Sequence, residues 1–411
     1  MRALLQTKIP VVLPTMLAIQ SFGSMCTFAS AVVAVQAAAD LGVRSTGIGV
    51  FTAVVYVAGM LSGLGASSLL ARFGVIRTCQ AALLGGVAGL MLTAAVPVWP
   101  IALVAALLIG LGTGMLNPAS SQILSRHAPP PWQPLVFSIK QTGTPMGGML
   151  AGLLLPPLMA LYDWRIAIAA IAVIPLIALL GVQGLRRDLD DDRDPAHPVG
   201  LAGVFDSLRV IVASRPLAIL ALAGYLYTFA QLAILAFMVI FLAEENGLST
   251  ALAGGIFAIV HGSAIPARIV WGAMAGRLAS CWVLLGIIGI LMAGSIVAIS
   301  FFTPDWPFWL TALVALLLGA STNGVLGLLL SEFARLAPPG KIGQATGGGQ
   351  FFLFFGIVSG PPVFGAMVDY GGGYTNAFYL IAAITLAAGI GLLLTARHGR
   401  PAEAISRHDR G

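Results

Sequence analysis

Long apolar segments recur along the whole chain, and short polar segments separate them. Each is longer than the ~18 residues that indicate a membrane-spanning helix. The pattern predicts twelve such helices, called here span one to span twelve, over residues 11–38, 46–70, 79–96, 100–123, 135–160, 166–184, 216–242, 250–274, 282–302, 307–330, 343–368 and 374–396. We therefore expect an all-α membrane protein.

One long polar stretch interrupts this pattern, between span six and span seven. It begins at Arg186, carries charges of both signs and Pro195, and continues to Arg215. Such a composition is typical of a solvated linker. The stretch predicts three units: an N-terminal six-helix bundle over 1–185, a cytoplasmic linker over 186–215, and a C-terminal six-helix bundle with a short cytoplasmic tail over 216–411.

Composition excludes a soluble protein, because hydrophobic residues make up 58% of the chain and charged residues only 9%. The net charge of +6 reflects topology rather than nucleic-acid binding. Arginines collect in the segments on one predicted side of the membrane, whereas the loops on the other side carry mostly Asp and Glu. This bias places both termini in the cytoplasm and the protein in the cytoplasmic, or inner, membrane.

Catalytic and metal-binding patterns are absent from the sequence. Cys26, Cys79 and Cys281 are scattered and show neither disulfide nor metal spacing. The chain also contains no phosphate-binding G-x-x-x-x-G-K-[ST] and no nucleophile with a base and an orienting acid. We expect no enzyme activity, cofactor or metal.

The two halves of the chain repeat several features in the same order. The sequence R-x-A-P-P follows span four at Arg126–Pro130 and span ten at Arg335–Pro339. Spans five and eleven each contain a glutamine followed by a G-x-x-x-G pair, namely Gln141 with Gly148/Gly152 and Gln350 with Gly356/Gly360. A repeat of six spans in one orientation is a transporter architecture, with the solute site between the pseudo-symmetric halves.

On these features the chain resembles the major facilitator superfamily (MFS). In that family the loop after span two reads roughly G-x-x-A-D-R-x-G-R-R, and Ser67–Arg77 and Gly272–Leu278 are similar to it, although Ala71 and Gly276 replace the aspartate. The resemblance implies a monomer that works by rocker-switch alternating access. Spans one, four, seven and ten would line the cavity, and spans two, five, eight and eleven would border it. Without the aspartate, Arg72 and Arg277 would hold helix-end carbonyls or lipid phosphate.

Only three ionisable side chains lie well inside the predicted spans, namely Lys140, His261 and Arg268, and no Asp or Glu accompanies them. Buried cations need an anion, which a carboxylate solute would supply. Arg268 is the expected anion ligand, and Lys140 a second positive group or a cytoplasmic gate. Either cation could instead reach the membrane surface. His261 would line the cavity as a proton carrier or bond to a neighbouring helix.

The segment Ala267–Gly272 is also similar to span eight of monocarboxylate and oxalate-type carriers of the superfamily. In those carriers an arginine four residues before the glycine contacts the substrate carboxylate, and Arg268 stands at that position. Monocarboxylate carriers also place an aspartate one turn before the arginine, where this chain has Ala264.

Two further groups of residues complete the candidate site. Uncharged polar residues in the spans would orient the solute or join helices, and they include Tyr56, Asn117, Gln231 and Asn323. Small or helix-bending residues would let the halves pack and rock, and they are Gly143, Pro145, Gly148, Gly152, Gly356 and Gly360. The segment Gly143–Gly148 resembles an antiporter motif of the superfamily, but close packing and a bend account for it as well.

The sequence thus predicts a secondary active transporter, a proton-coupled symporter for a small organic anion such as a carboxylate. Protons and membrane lipid are its other expected partners. The alternative is a proton-driven exporter of drugs or of an endogenous metabolite.

Overall fold

The computed structural model describes residues 8–96, 98–129, 133–190, 193–194, 204–275, 279–339 and 341–396. Twelve helical segments in this part of the chain are long and apolar enough to cross a membrane, which confirms the predicted number. Ten spans are formed by one main α-helix each, at Ile9–Leu41, Ile48–Phe73, Val75–Ala95, Trp99–His127, Trp164–Gly181, Arg215–Ile240, Thr250–Met274, Cys281–Ile299, Ile342–Tyr370 and Gly373–Leu394.

Spans five and ten are each broken into two helices. Span five consists of Gln133–Gln141 and Gly143–Leu161, and span ten of Phe308–Thr322 and Val325–Arg335. In span five the cause is Pro145, which has no N–H to return to the carbonyl of Gln141 four residues earlier. Both breaks expose backbone oxygens at membrane depth, where such groups need a partner inside the protein.

The helices pack as two six-helix bundles. Within the first bundle the largest contacts join span three to span four, span two to span four, and span one to span five. Within the second they join span seven to span eleven, span nine to span twelve, and span eight to span ten. Across the two bundles, span five packs on span eight and span two on span eleven.

The bundles meet most closely at the end opposite the termini. Here Ser45 and Thr46 donate hydroxyl hydrogen bonds to Glu244 (2.8 Å) and Asp369 (3.0 Å) of the other bundle. Arg44 lies 3.4 Å from the same Asp369 carboxylate. The halves of spans one and seven near this end are almost wholly buried, at 23–34 and 232–242, where only Ser30 is partly exposed. Their halves near the terminal end, where Ile9 and Leu394 lie, include exposed residues such as Val11 and Leu222.

The start of the predicted linker is fixed to the first bundle by Asp190. This carboxylate is 6% exposed and accepts hydrogen bonds from the backbone N–H groups of Ile76 (2.7 Å) and Arg77 (3.2 Å), so it caps the first turn of span three. Gly74, at φ +90°, leaves room for it, because a Cβ there would lie 2.4 Å from the Asp190 carboxyl carbon. The backbone N–H of Asp194 also donates to the carbonyl of Ala71 at 2.7 Å.

Asp190 thus places a carboxylate at the loop that lacks the family's aspartate. Arg72 in the same loop is exposed and lies over the ring of Phe73, with its guanidinium carbon 5.6 Å from the ring centroid. Arg277, its predicted counterpart, lies outside the described residues.

We expect Asp190→Ala to lower the free energy of unfolding by about 1 kcal/mol, because it removes a helix cap. Thermal unfolding of the purified protein measures this change. Asp188→Ala is the matched control, since Asp188 is exposed and contributes only its backbone oxygen, which accepts from Lys8 at 3.0 Å. Equal melting temperatures for the two variants would contradict a capping role.

Candidate functional site

Lys140 lies at the end of the first helix of span five and is fully buried. Its ammonium donates to the side-chain oxygen of Asn117 in span four. It lies 3.3 Å from the side-chain oxygen of Gln141 and 3.4 Å from the carbonyl of Asn117. The side chain therefore points into the bundle rather than to the membrane surface. All three of its acceptors are uncharged and belong to the first bundle.

Arg268 approaches the same place from the second bundle. Its Nε donates to the carbonyl of Asn323 at 3.0 Å, and one terminal nitrogen, Nη1, donates to the carbonyl of Gln141. The side chain is only partly buried. Because Gln141 receives hydrogen bonds from Lys140 and from Arg268, the two cations meet around one residue of span five.

The acceptors around Arg268 come from the two helix breaks. Gln141 ends the first helix of span five, and Asn323 follows the first helix of span ten. Gln231 of span seven extends the cluster, because its amide donates to the side-chain oxygen of Asn323 at 2.9 Å. Asn117, Gln231 and Asn323 thus lie in one hydrogen-bonded cluster with the cations.

In the part of the chain that the structure describes, no Asp or Glu pairs with either cation. Within the described residues, the ion pairs involve Arg44, Arg165 and Arg335, and none reaches Lys140 or Arg268. Glu332 is a buried carboxylate, but it accepts from Trp282 at 2.7 Å and pairs with Arg335 near the end of span ten. The cluster therefore holds two positive groups on amide and carbonyl oxygens alone.

His261 lies outside this polar cluster. Its ring is fully buried against Phe28 and Phe257, with ring centroids 4.5 Å away in each case. Neither ring nitrogen has a hydrogen-bond partner among the described groups. Although it shares a helix face with Arg268, His261 lies here in the packed joint between spans one, five and eight rather than on an open cavity.

Tyr56 does not join the cluster either. It is partly exposed on span two, and its ring packs beside the apolar core. No hydrogen bond from Tyr56 to the cations or their acceptors is present in the described part of the chain.

The glycines of span five form the surface that meets span eight. A Cβ on Gly148 would lie 2.5 Å from the ring of His261, and one on Gly152 would lie 2.6 Å from the carbonyl of Gly254. Gly143 instead faces Gln20 of span one, beside Pro145, which is buried. In the second bundle, Gly356 and Gly360 pack on the backbone of span seven.

Sequence reasoning missed the backbone carbonyls of Gln141 and Asn323 as ligands for Arg268. A signal for the first was present, because Pro145 stands four residues after Gln141 and leaves that carbonyl without its helical donor. No comparable proline follows Asn323 in the sequence.

A family model described as Major Facilitator Superfamily matches residues 16–352. The chain belongs to this superfamily. Its members are transporters, so transport across a membrane, rather than catalysis, is the general function of this chain. The resemblance of the loops and spans to this family is thereby confirmed.

The chain is similar in sequence to two characterised transport proteins and in fold to a solved transporter structure. The chain is 22% identical to the hexuronate transporter of Bacillus subtilis (strain 168), over 73% of this chain and 74% of that protein. It is 26% identical to the fosmidomycin resistance protein of Escherichia coli (strain K12), over 68% and 66%. A bacterial homologue of the human lysosomal transporter Spinster, solved in an inward-facing and occupied conformation, shares the fold with a TM-score of 0.72 and 15% identity, over 95% and 98%.

We expect Gly152→Ala to destabilise the protein by about 1–3 kcal/mol, because the added methyl group would press on the backbone of span eight. Thermal unfolding of the purified protein measures the loss. Gly255→Ala is the control for the change in helix propensity, since a Cβ there meets nothing within 4 Å. A Gly152→Ala protein as stable as the Gly255→Ala protein would refute close packing at this joint.

Proposed function

We propose that this MFS protein is a secondary active transporter of a small organic anion, with a carboxylate as the group that it binds. The observation that carries the proposal is the convergence of Lys140 and Arg268 on Gln141 without an acidic partner among the described residues. Taking a charge out of water is costly unless a counter-charge or several strong hydrogen bonds replace the hydration. A solute carboxylate would supply both.

The chemistry of the two cations suits such a ligand. A guanidinium can bind both carboxylate oxygens through parallel hydrogen bonds, and an ammonium adds a point charge. Within the described part of the chain, the second terminal nitrogen of Arg268, Nη2, donates to no protein group, and the side chain is partly exposed. Arg268 is therefore the proposed primary ligand, with Lys140 as the second positive group or the gate on the cytoplasmic side.

The uncharged members of the cluster would orient the rest of the solute. Asn117, Gln231 and Asn323 offer amide donors and acceptors around the cations. Tyr56 and His261 remain candidates for contact in another conformation, since neither contributes to the cluster in this one. If that conformation opens His261 to the cavity, this residue is also the proposed site of proton exchange.

Alternating access is the proposed mechanism of transport. The hydrogen bonds of Ser45 and Thr46 join the bundles at one end, while exposed residues of spans one and seven lie at the other. With both termini in the cytoplasm, as the arginine distribution favours, the site would open inward in this conformation. The joint between spans five and eight, with Gly148 and Gly152, is the surface on which the bundles would rock.

The relatives support two versions of the transport function. Similarity to a hexuronate transporter favours a sugar acid or another carboxylate as solute. Similarity to a fosmidomycin resistance protein favours the alternative, a proton-driven exporter of a drug or an endogenous metabolite. A deletion strain separates them: loss of growth on organic acids indicates uptake, and loss of resistance to toxic compounds indicates export.

We expect Arg268→Ala to lower uptake of the carboxylate substrate into proteoliposomes by about tenfold or more, because a charged hydrogen bond contributes about 1.5–3 kcal/mol. A thermal-shift screen of the purified protein against carboxylates, phosphates and amphipathic drugs identifies the substrate first, since a ligand stabilises the folded form.

Arg187→Ala is the control for this experiment, because Arg187 is an exposed arginine of the linker. Uptake by Arg268→Ala equal to that by Arg187→Ala would rule out the proposed anion site.

A further inference from the structure

Among the described residues, the carbonyl oxygen of Gln141 is the one acceptor of Arg268 that belongs to the other bundle. In an unbroken helix this oxygen would accept from the backbone N–H four residues later. Residue 145 is proline, so that donor is absent, and the helix ends at Gln141. The oxygen is thereby free to face span eight and to receive the guanidinium.

We infer that the Gln141 carbonyl, released by Pro145, is an internal stand-in for the anionic oxygen of the solute. It occupies one donor of Arg268 while the site is empty, and the solute carboxylate displaces it. This inference rests on the proposed function for the class of ligand. It adds a positioning role for Pro145, which acts through the Gln141 carbonyl.

The exchange links binding to movement of the bundles. Spans five and eight pack along one line, where Gly152 faces Gly254, Gly148 faces His261, and Gln141 faces Arg268. The first two are contacts of apolar or neutral groups, whereas the third is a hydrogen bond that a carboxylate can replace with a stronger one. Displacement of the Gln141 carbonyl therefore separates spans five and eight at the end of their contact that lies nearest the cations. The solute carboxylate then accepts the hydrogen bond that Arg268 had donated to the other bundle.

The neutral stand-in also explains how Arg268 can lie partly buried beside Lys140 before the solute arrives. The Nε of Arg268 donates to the carbonyl of Asn323, in the same bundle, at 3.0 Å. Only the bond to Gln141 has to break. Arg268 thus remains positioned by span ten while its terminal nitrogens change partners.

Pro145→Ala tests the inference, because it returns an N–H to the Gln141 carbonyl and removes the competing acceptor. We expect the affinity for the carboxylate to rise about fivefold, the change that one net hydrogen bond would give, while the maximal transport rate falls. Glucuronate, a hexuronate, is the first probe. Pro157→Ala is the matched control, since Pro157 lies in the same span but is exposed. An affinity that is unchanged or weakened in Pro145→Ala would overturn the inference.

A second measurement needs no ligand and so separates this inference from the proposed function. Met149 and Gly262 face each other across spans five and eight, with the Met149 sulfur 3.3 Å from a Cβ placed on Gly262. Met149→Cys with Gly262→Cys, in a background with Cys26, Cys79 and Cys281 changed to Ser, can be joined by a short bifunctional thiol reagent. We expect Pro145→Ala to slow this crosslinking severalfold and Pro157→Ala to leave it unchanged.

The two readouts fail in different ways. Equal crosslinking rates in the double-cysteine proteins with Pro145 and with Pro145→Ala would show that the Gln141–Arg268 bond does not hold spans five and eight together. This outcome does not depend on what the protein transports. Slower crosslinking in Pro145→Ala would support the role of the Gln141–Arg268 bond in holding spans five and eight together. If no carboxylate bound to the protein as well, both the stand-in role and the proposed solute class would be overturned. A gain of affinity cannot arise from a misfolded variant, so the expected result supports the inference even if Pro145→Ala is less stable.

Discussion

The hydrogen bonding of two cations between the helices by uncharged oxygens is the constraint on which the centre of this protein depends. Lys140 is buried and Arg268 partly buried, and each needs acceptors that do not themselves require neutralising. Side-chain amides supply part of that need. The remainder comes from backbone carbonyls, which are available only where a membrane helix is interrupted. The breaks in spans five and ten are therefore part of the site rather than irregularities beside it.

The same interruption joins the candidate site to a pair of helices that crosses between the bundles. Span five carries Gln141 and Pro145 at one level and the small residues Gly148 and Gly152 one to three turns further along. Its second helix can lie close against span eight because it has no side chains at these contacts. A change of partners around Arg268 thus acts directly on a helix pair that crosses between the two bundles.

Much of this could be predicted from the sequence, because the information was local. The twelve spans follow from hydropathy, and the approach of Lys140 to Arg268 follows once spans five and eight are placed side by side. Other features depend on contacts between distant residues. The cap of span three by Asp190 joins residues that are 114 positions apart in the sequence, and no local sequence pattern predicts it. His261 shares a helix face with Arg268, yet Phe28 of span one and Phe257 of span eight pack on both sides of its ring. The break at Asn323 has no proline to mark it.

The carbonyl oxygens that hold Arg268 have a consequence for the response to acidity. A backbone carbonyl binds no proton in the physiological range, unlike the carboxylate partner that an arginine more often has. What holds Arg268 in the empty protein is therefore independent of pH. Any pH dependence of transport has to originate in other groups, such as the imidazole of His261, the ammonium of Lys140 or the carboxyl group of the cargo itself.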